Sequence, residues 1–365
     1  MRILWNLLFL IVAHVSFGQK TTYISPIHPL IRYEGRVHVK SNTEVQFSYP
    51  GVAFKIKFSG KVCRILLNNR LEEKFRNDPI WYNVRVDGGT PFAITVYDTD
   101  HAYLIRDLKE GVHTVEVFRR NESLVGLTMF RGVEIEAGAK LYAVDTLKRK
   151  IEFIGNSITC GYGNEGDSAT CHFSPRTENN YVAYGAITAR NLNAEYRAIA
   201  YSGKGIVSNY DLDDKATMPT LYDYVFPKMN APLYNSKSWK PDVVVINLGT
   251  NDFAHHVPDS ALFISTYVNF ISKLHLHYPN ASFFCIEGCM TKDGWPAGIS
   301  SFTIVKRYIE KVAEISRSKG IKDLFVYFPT SMQQGEIGCD WHPNIIRHKK
   351  MAEELTTFIQ QKMGW

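Results

Sequence analysis

The hydrophobic pattern of this chain changes character once, near residue 145, and that change limits the folds open to it. Before the change, apolar residues alternate with polar or small ones. Val52, Phe54, Ile56 and Phe58 share one face of an extended segment; Val84 and Val86 lead into Asp87-Gly-Gly89, and Phe92, Ile94 and Val96 resume the alternation. Val115 and Val117, then Val133 and Ile135, repeat it. A period of two, broken by Asp-Gly, marks half-buried antiparallel strands. No useful helical period intervenes, so residues 19–145 are expected to form an all-β, jelly-roll-like sandwich.

Beyond residue 145, apolar runs alternate with helical stripes. Strands are expected at 151–154, 195–199, 242–247, 281–286 and 323–328. Phe263, Tyr267, Phe270, Ile271, Leu274 and Tyr278 fall on one helical face behind the capping candidates Asp259 and Ser260. Val305, Tyr308, Ile309 and Val312 make a second stripe, stopped at Gly320, and Met351, Leu355, Phe358 and Ile359 a third. Strands joined by crossing helices predict a parallel five-stranded sheet in a three-layer α/β/α domain over 146–365. The length of 365 residues suits two such domains.

The chemistry gathers where apolar runs end. Ile151-Glu-Phe-Ile154 stops at Gly155, and Ser157 follows in a tight turn, where open α/β sheets place their ligands. A serine there is commonly a plain turn residue; as a nucleophile it needs a base and oxyanion donors. Tyr201-Ser-Gly-Lys-Gly205 offers glycine amides after the second run, Leu248-Gly-Thr-Asn-Asp252 offers an asparagine amide after the third, and Cys339-Asp-Trp-His-Pro-Asn344 offers a histidine before the last helix. Together they make an acyl-transfer set.

In order and spacing the set resembles the SGNH (GDSL-type) hydrolases. The resemblance assigns Ser157 as nucleophile, His342 as base, and Ser157, Gly203 and Asn251 as oxyanion-hole donors. More narrowly, Gly155-Asn-Ser-Ile-Thr-Cys-Gly-Tyr-Gly163, Thr177-Glu-Asn-Asn-Tyr-Val-Ala-Tyr-Gly185, Ser202-Gly-Lys-Gly205 and Asp340-Trp-His-Pro343 resemble carbohydrate esterase family 2. That family joins an N-terminal β-sandwich to an SGNH domain and removes acetyl groups from sugars. The resemblance thus implies an acetylated oligo- or polysaccharide of the acetylxylan or glucomannan type as partner, with a lean towards the sugar 6-hydroxyl, and no cofactor or metal. Two departures stand out. Asn156 replaces the usual aspartate beside the nucleophile, and Cys339 stands three residues before the histidine, where many relatives carry aspartate. Asp340, two residues before His342, is expected to orient the imidazole through its carboxylate, with a backbone carbonyl near Trp341 as the alternative. Trp341, Trp295 and Tyr162 are candidate sugar platforms, Asp252 a loop-fixing residue, and His255 and His256 structural.

Other classes remain to be weighed. An SGNH lipase or thioesterase would want a long apolar groove, and a non-catalytic sugar-binding protein would keep the fold without the chemistry. The sandwich is either a carbohydrate-binding module or packing that walls the cleft. Net charge is +6, and basic clusters such as Lys148-Arg-Lys150 lie beside apolar patterns, so they read as solvated faces rather than a nucleic-acid footprint. Arg2, the apolar run Ile3–Val15 and Ser16-Phe-Gly18 read as a signal peptide (1–18) cut after Gly18, hence a secreted or periplasmic protein without a membrane span. The six cysteines fit no zinc pattern. Cys285 is expected to be a buried thiol, and Cys160 with Cys171, or Cys289 with Cys339, are the pairings weighed for a disulfide.

Overall fold

The computed structural model describes residues 20–287 and 289–365; the expected signal peptide lies outside them. The N-terminal part consists of two six-stranded antiparallel sheets. One runs His38–Ser41, Glu44–Phe47, Gly126–Glu136, Cys63–Leu71, His101–Ile105, with Thr21–Ile24 also paired to Gly126–Glu136. The other runs Leu141–Tyr142, Ala53–Ser59, Val112–Arg119, Ile80–Val86, Phe92–Val96, with Arg32–Glu34 also on Ala53–Ser59. The alternation read from the sequence is the physical one: Phe54, Ile56 and Phe58 are buried while Lys55 and Lys57 between them are not. Between the sheets, Phe54 stacks on Phe130 with ring centroids 3.9 Å apart. Asp87-Gly-Gly89 does turn a hairpin, pairing Ile80 with Val96 and Val84 with Phe92.

From Arg149 the chain builds a second, parallel sheet in the order Ala194–Ala200, Arg149–Gly155, Val243–Asn247, Ser282–Ile286, Leu324–Tyr327. All five strands fall where the apolar runs predict them. Ala194–Ala200, Val243–Asn247 and Ser282–Ile286 are buried along their length, and Arg149–Gly155 from Ile151 on, because helices cover both faces. Ile151, Phe153, Val243 and Val245 pack against helices Tyr184–Asn191 and Ile345–Met363. Ile154, Val244 and Ile246 join the cluster of helices Ser260–His277 and Ser301–Ser318. Asp259 caps the first of these two helices, its carboxylate accepting from Leu262 N at 2.8 Å. The sheet order reverses direction at Arg149–Gly155. The carboxyl ends of this strand and its two neighbours therefore form the crevice in which such sheets hold ligands. Ser157, the 202–209 loop and Asn251 all follow those ends.

Candidate active site

Gly155 closes its strand with no room for a side chain, since a Cβ there would overlap Thr159. Asn156 is extended and caps the turn Ser157–Cys160, its Oδ1 accepting from Ile158 N at 3.1 Å. The position that is aspartate in many SGNH enzymes thus serves here as a neutral cap. As the first residue of the turn, Ser157 has a backbone N–H with no intrahelical acceptor, and its Oγ lies 2.8 Å from His342 Nε2.

His342 arrives on a segment that turns twice through left-handed backbone, at Asp340 (φ 50°) and Trp341 (φ 64°). These turns bring the Asp340 carbonyl oxygen to 3.0 Å from His342 Nδ1. A carbonyl can only accept, so Nδ1 carries the proton and Nε2 accepts from the Ser157 hydroxyl. The expectation that the Asp340 carboxylate orients the ring is therefore corrected. Its oxygens face away, accepting from Tyr162 Oη at 2.9 Å, His172 Nδ1 at 2.9 Å and Phe173 N at 2.9 Å. Against the opposing effect of burial, these donors hold the Asp340 carboxyl below its ordinary pKa. Tyr162 in turn stacks on the His342 ring, centroids 4.1 Å apart. Desolvation pushes the imidazole pKa down to about 4, so the ring is neutral at physiological pH.

Asn251 and Gly203 reach the same place from the neighbouring strand ends. Asn251 Nδ2 donates to Lys204 O at 2.8 Å, and the other N–H of that amide remains available to the cleft that the residue lines. Gly203 has φ 79°, a conformation that favours glycine. Asp252 fixes this loop, its carboxylate accepting from Ile206 N at 2.9 Å, Val207 N at 2.7 Å and Ser208 N at 2.9 Å. Burial raises its carboxyl pKa to about 6, leaving a carboxylate at neutral pH. Asn209 braces the loop from the far side, accepting from Gly205 N and donating to Asp214 O.

Ser157, Gly203, Asn251 and His342 open on one cleft of about 650 Å³. Its walls mix polar side chains, Lys204 ion-paired to Asp214 with Asp211, Thr250 and Thr291, with apolar surface from Phe253, Ala254 and Met290. Trp295, 64% exposed, and Tyr210 stand at its edge. Tyr162 also lines it, although its ring is occupied in supporting His342. Trp341 is 63% exposed but stands outside the residues that wall the cleft. His255 Nε2 donates to the Tyr210 carbonyl at 2.8 Å, and His256 is exposed.

The disulfide joins Cys171 to Cys339, correcting both pairings weighed from the sequence. Cys160 is buried at the end of the nucleophile's turn, Cys289 is buried with its sulfur 3.6 Å from Met351 Sδ, and Cys285 is the buried thiol expected. Sequence reading also missed Glu122 and Glu178, both fully buried beside Cys160. Glu178 stands in a block singled out for its resemblance; Glu122, in Arg119-Arg-Asn-Glu-Ser123, looked like any charged loop between strands.

Two family models match the chain: Carbohydrate esterase 2 N-terminal over residues 33–144, and the GDSL-like Lipase/Acylhydrolase family over 153–345. The Cellulase/esterase CelE of Acetivibrio thermocellus is 37% identical over 341 residues, covering 93% of this chain; the chain spans only 40% of that protein. An acetylxylan esterase / glucomannan deacetylase of Cellvibrio japonicus is 31% identical, with 90% of each chain covered. Among solved structures, a family two carbohydrate esterase from Clostridium thermocellum in complex with cellohexaose superposes with a TM-score of 0.84 at 34% identity, covering 92% of this chain and 99% of that one. With the sandwich, the parallel sheet and the convergent serine and histidine in place, the chain belongs to carbohydrate esterase family 2.

Proposed function

We propose that the protein is an exported acetyl esterase that removes O-acetyl groups from sugars in oligo- or polysaccharides. The observation that carries this reading is the relay from Ser157 Oγ through the neutral His342 ring to the Asp340 carbonyl, opening on the cleft that Gly203 and Asn251 also line. Ser157 attacks the acetyl carbonyl as its proton passes to His342 Nε2. The backbone N–H groups of Ser157 and Gly203 and the side-chain N–H of Asn251 hold the developing oxyanion, each donor being worth about 2.7–4 kcal/mol. The tetrahedral species collapses with loss of the sugar alkoxide, which takes the proton from the imidazolium. Water then repeats the sequence on the acetyl-serine, releasing acetate and restoring the hydroxyl. The Asp340 carbonyl holds Nδ1–H throughout and stabilises the imidazolium as a dipole rather than as a charge.

The charged and hydrogen-bonding side chains Lys204, Asn209, Asp211 and Asp214 along the cleft favour a sugar over a long acyl chain, and Trp295 offers a flat face for a pyranose ring. The acetylxylan and glucomannan activities named for the Cellvibrio relatives point to the same substrate class. Export is supported by the N-terminal pattern and by the Cys171–Cys339 disulfide, which suits an oxidising compartment; cell fractionation tests it. Ser157→Ala should abolish release of acetate from acetylated xylan and glucomannan while the protein stays folded. Substantial turnover by the folded variant would remove Ser157 from the mechanism. Faster cleavage of long-chain esters than of acetates by the wild type would replace the sugar reading with a lipase-like one.

A further inference from the structure

The sandwich sends one loop, residues 119–126, into the back of the catalytic cleft. Arg119, fully buried, cages this loop: its guanidinium donates to the carbonyls of Asn121 (2.7 Å), Glu122 (3.0 Å) and Gly126 (2.6 Å). Asn121 anchors the tip, accepting from Trp81 N at 2.7 Å and donating to Pro175 O at 2.7 Å. Glu122 is thereby held with no exposed surface, against residues of the other domain. One of its carboxyl oxygens accepts from Ser202 N at 2.8 Å and the other accepts from the Ser202 hydroxyl. Ser202 immediately precedes Gly203, which lines the cleft. Cys160, which closes the nucleophile's turn, and the Glu178 carboxyl complete the cluster, with the three groups' ligating atoms within 4.8 Å of one another.

We propose that Glu122 is a positioning residue for the acetyl-transfer site: a carboxylate, lent by the sandwich, that sets the Ser202–Gly203 backbone and braces the Ser157 turn through Cys160. This inference rests on the esterase reading above.

Two carboxyl groups this close and this deep cannot both ionise, and the donors decide which keeps the proton. Glu122 faces three donors, the Ser202 N–H, the Ser202 hydroxyl and the Cys160 thiol. Glu178 accepts on one oxygen only, Oε2, from Glu122 N at 3.0 Å and Asn121 Nδ2 at 3.2 Å. Its Oε1 is buried with no donor among the described residues, as suits a protonated oxygen that itself donates to Glu122. Desolvation raises the pKa of both carboxyls, but the Ser202 donors oppose the rise at Glu122, whereas the neighbouring Glu122 charge takes Glu178 well above its ordinary value. Glu122 is thus the charged member and Glu178 the acid that donates to it. A metal ion fits the trio poorly. Both Glu122 oxygens are already used by protein donors, and burial raises the Cys160 thiol pKa well above the ordinary thiol range, against the thiolate a metal would need.

The assignment makes the two glutamates unequal. Glu178→Gln keeps a donor towards Glu122 and an acceptor for Glu122 N, so its kcat should stay within about tenfold of wild type, less than the loss typical of one oxyanion donor. Glu122→Gln puts an NH₂ where an acceptor is needed, and kcat should fall about 10²-fold, the scale of a small misplacement of reacting groups, with KM little changed. The measurements are kcat and KM on a chromogenic acetate ester, the labelling rate of Ser157 by an organophosphonate, and thermal midpoints to establish folding. A folded Glu122→Gln protein with wild-type kcat and labelling rate overturns the inference, as does an equal loss in the two variants. If Glu122→Gln does not fold, Ser202→Ala removes the hydroxyl arm alone; reduced kcat at unchanged KM supports the inference and unchanged kcat overturns it. Failure of the esterase reading is recognised separately, because wild type would then neither hydrolyse the ester nor be labelled at Ser157, and this inference would fall with it.

Discussion

At Asp340 the backbone and the side chain serve His342 by different routes. The carbonyl takes the Nδ1 proton, while the carboxylate holds Tyr162, whose ring lies against the imidazole. Asp340→Asn keeps the carbonyl and much of the acceptor set, so turnover should fall by less than about tenfold, roughly 1.4 kcal/mol. A loss of several orders of magnitude, as in Ser-His-Asp enzymes whose aspartate is removed, would show that the carboxylate acts directly. The pH profile gives a second check on this residue pair. His342 must be neutral to accept the serine proton, and desolvation lowers its pKa from 6.5 to about 4. Activity should therefore persist well below pH 6.5 and be lost only as pH falls through the lowered pKa. An acid limb of kcat/KM near 6.5 would contradict this placement. The sequence placed Asp340 within reach of the ring but gave no sign of which part of it would arrive. That outcome depends on left-handed backbone at two successive residues, neither of them glycine. By contrast the strand ends that carry Ser157, Gly203 and Asn251 were legible, because each follows a short apolar run, while their roles were read from the resemblance of the four motif blocks.

The element that carries His342 is barely an element, a single turn at Cys339–Trp341 between a loop and the last helix. Cys339 N donates to Gly163 O at 3.1 Å, Asp340 N to Cys171 O at 2.9 Å, and the disulfide ties Cys339 to Cys171 across a separation of 168 residues. Cys171→Ser, or reduction of the wild type, should lower stability by about 2–4 kcal/mol, read as a lower thermal midpoint, and should lower kcat as the His342 loop loosens. An unchanged midpoint in reductant would show that the backbone bonds suffice. The pairing itself was hidden in the sequence, since pattern says nothing of which loops meet across so many residues. The long helices were plain by comparison: their apolar stripes recur over 18 or 19 residues behind Asp259 and Asn344 caps. Edge strands such as Arg32–Glu34 and Leu141–Tyr142 are too short for alternation to register, and so escaped notice.

At the scale of the whole molecule, the two architectures are joined by buried charge as well as by apolar area. Arg36, from the sandwich, is fully buried between the rings of Tyr222 (4.3 Å) and Tyr234 (4.0 Å), and its Nη1 donates to the Tyr224 carbonyl at 2.9 Å. Its Nη2 lies 3.9 Å from Glu152, a buried residue of the first parallel strand that Arg197 also approaches at 3.7 Å. Arg120 pairs with Glu165, Arg32 with Glu195, and Phe118 packs edge-on against Tyr181 at 5.2 Å. Pulling the halves apart would strip Arg36 of its Tyr224 and Glu152 contacts, Glu122 of its Ser202 donors and Glu178 of its Asn121 and Glu122 donors, and would open the apolar packing between Phe118 and Tyr181. Unfolding one half should therefore unfold the other. Calorimetry of the intact protein should show one transition whose calorimetric and van't Hoff enthalpies agree. Arg36→Met should move that whole transition down rather than split a shoulder from it. Two resolved transitions in the wild type would show instead that the sandwich and the catalytic domain are only neighbours, and that the buried ions at their junction do not couple them.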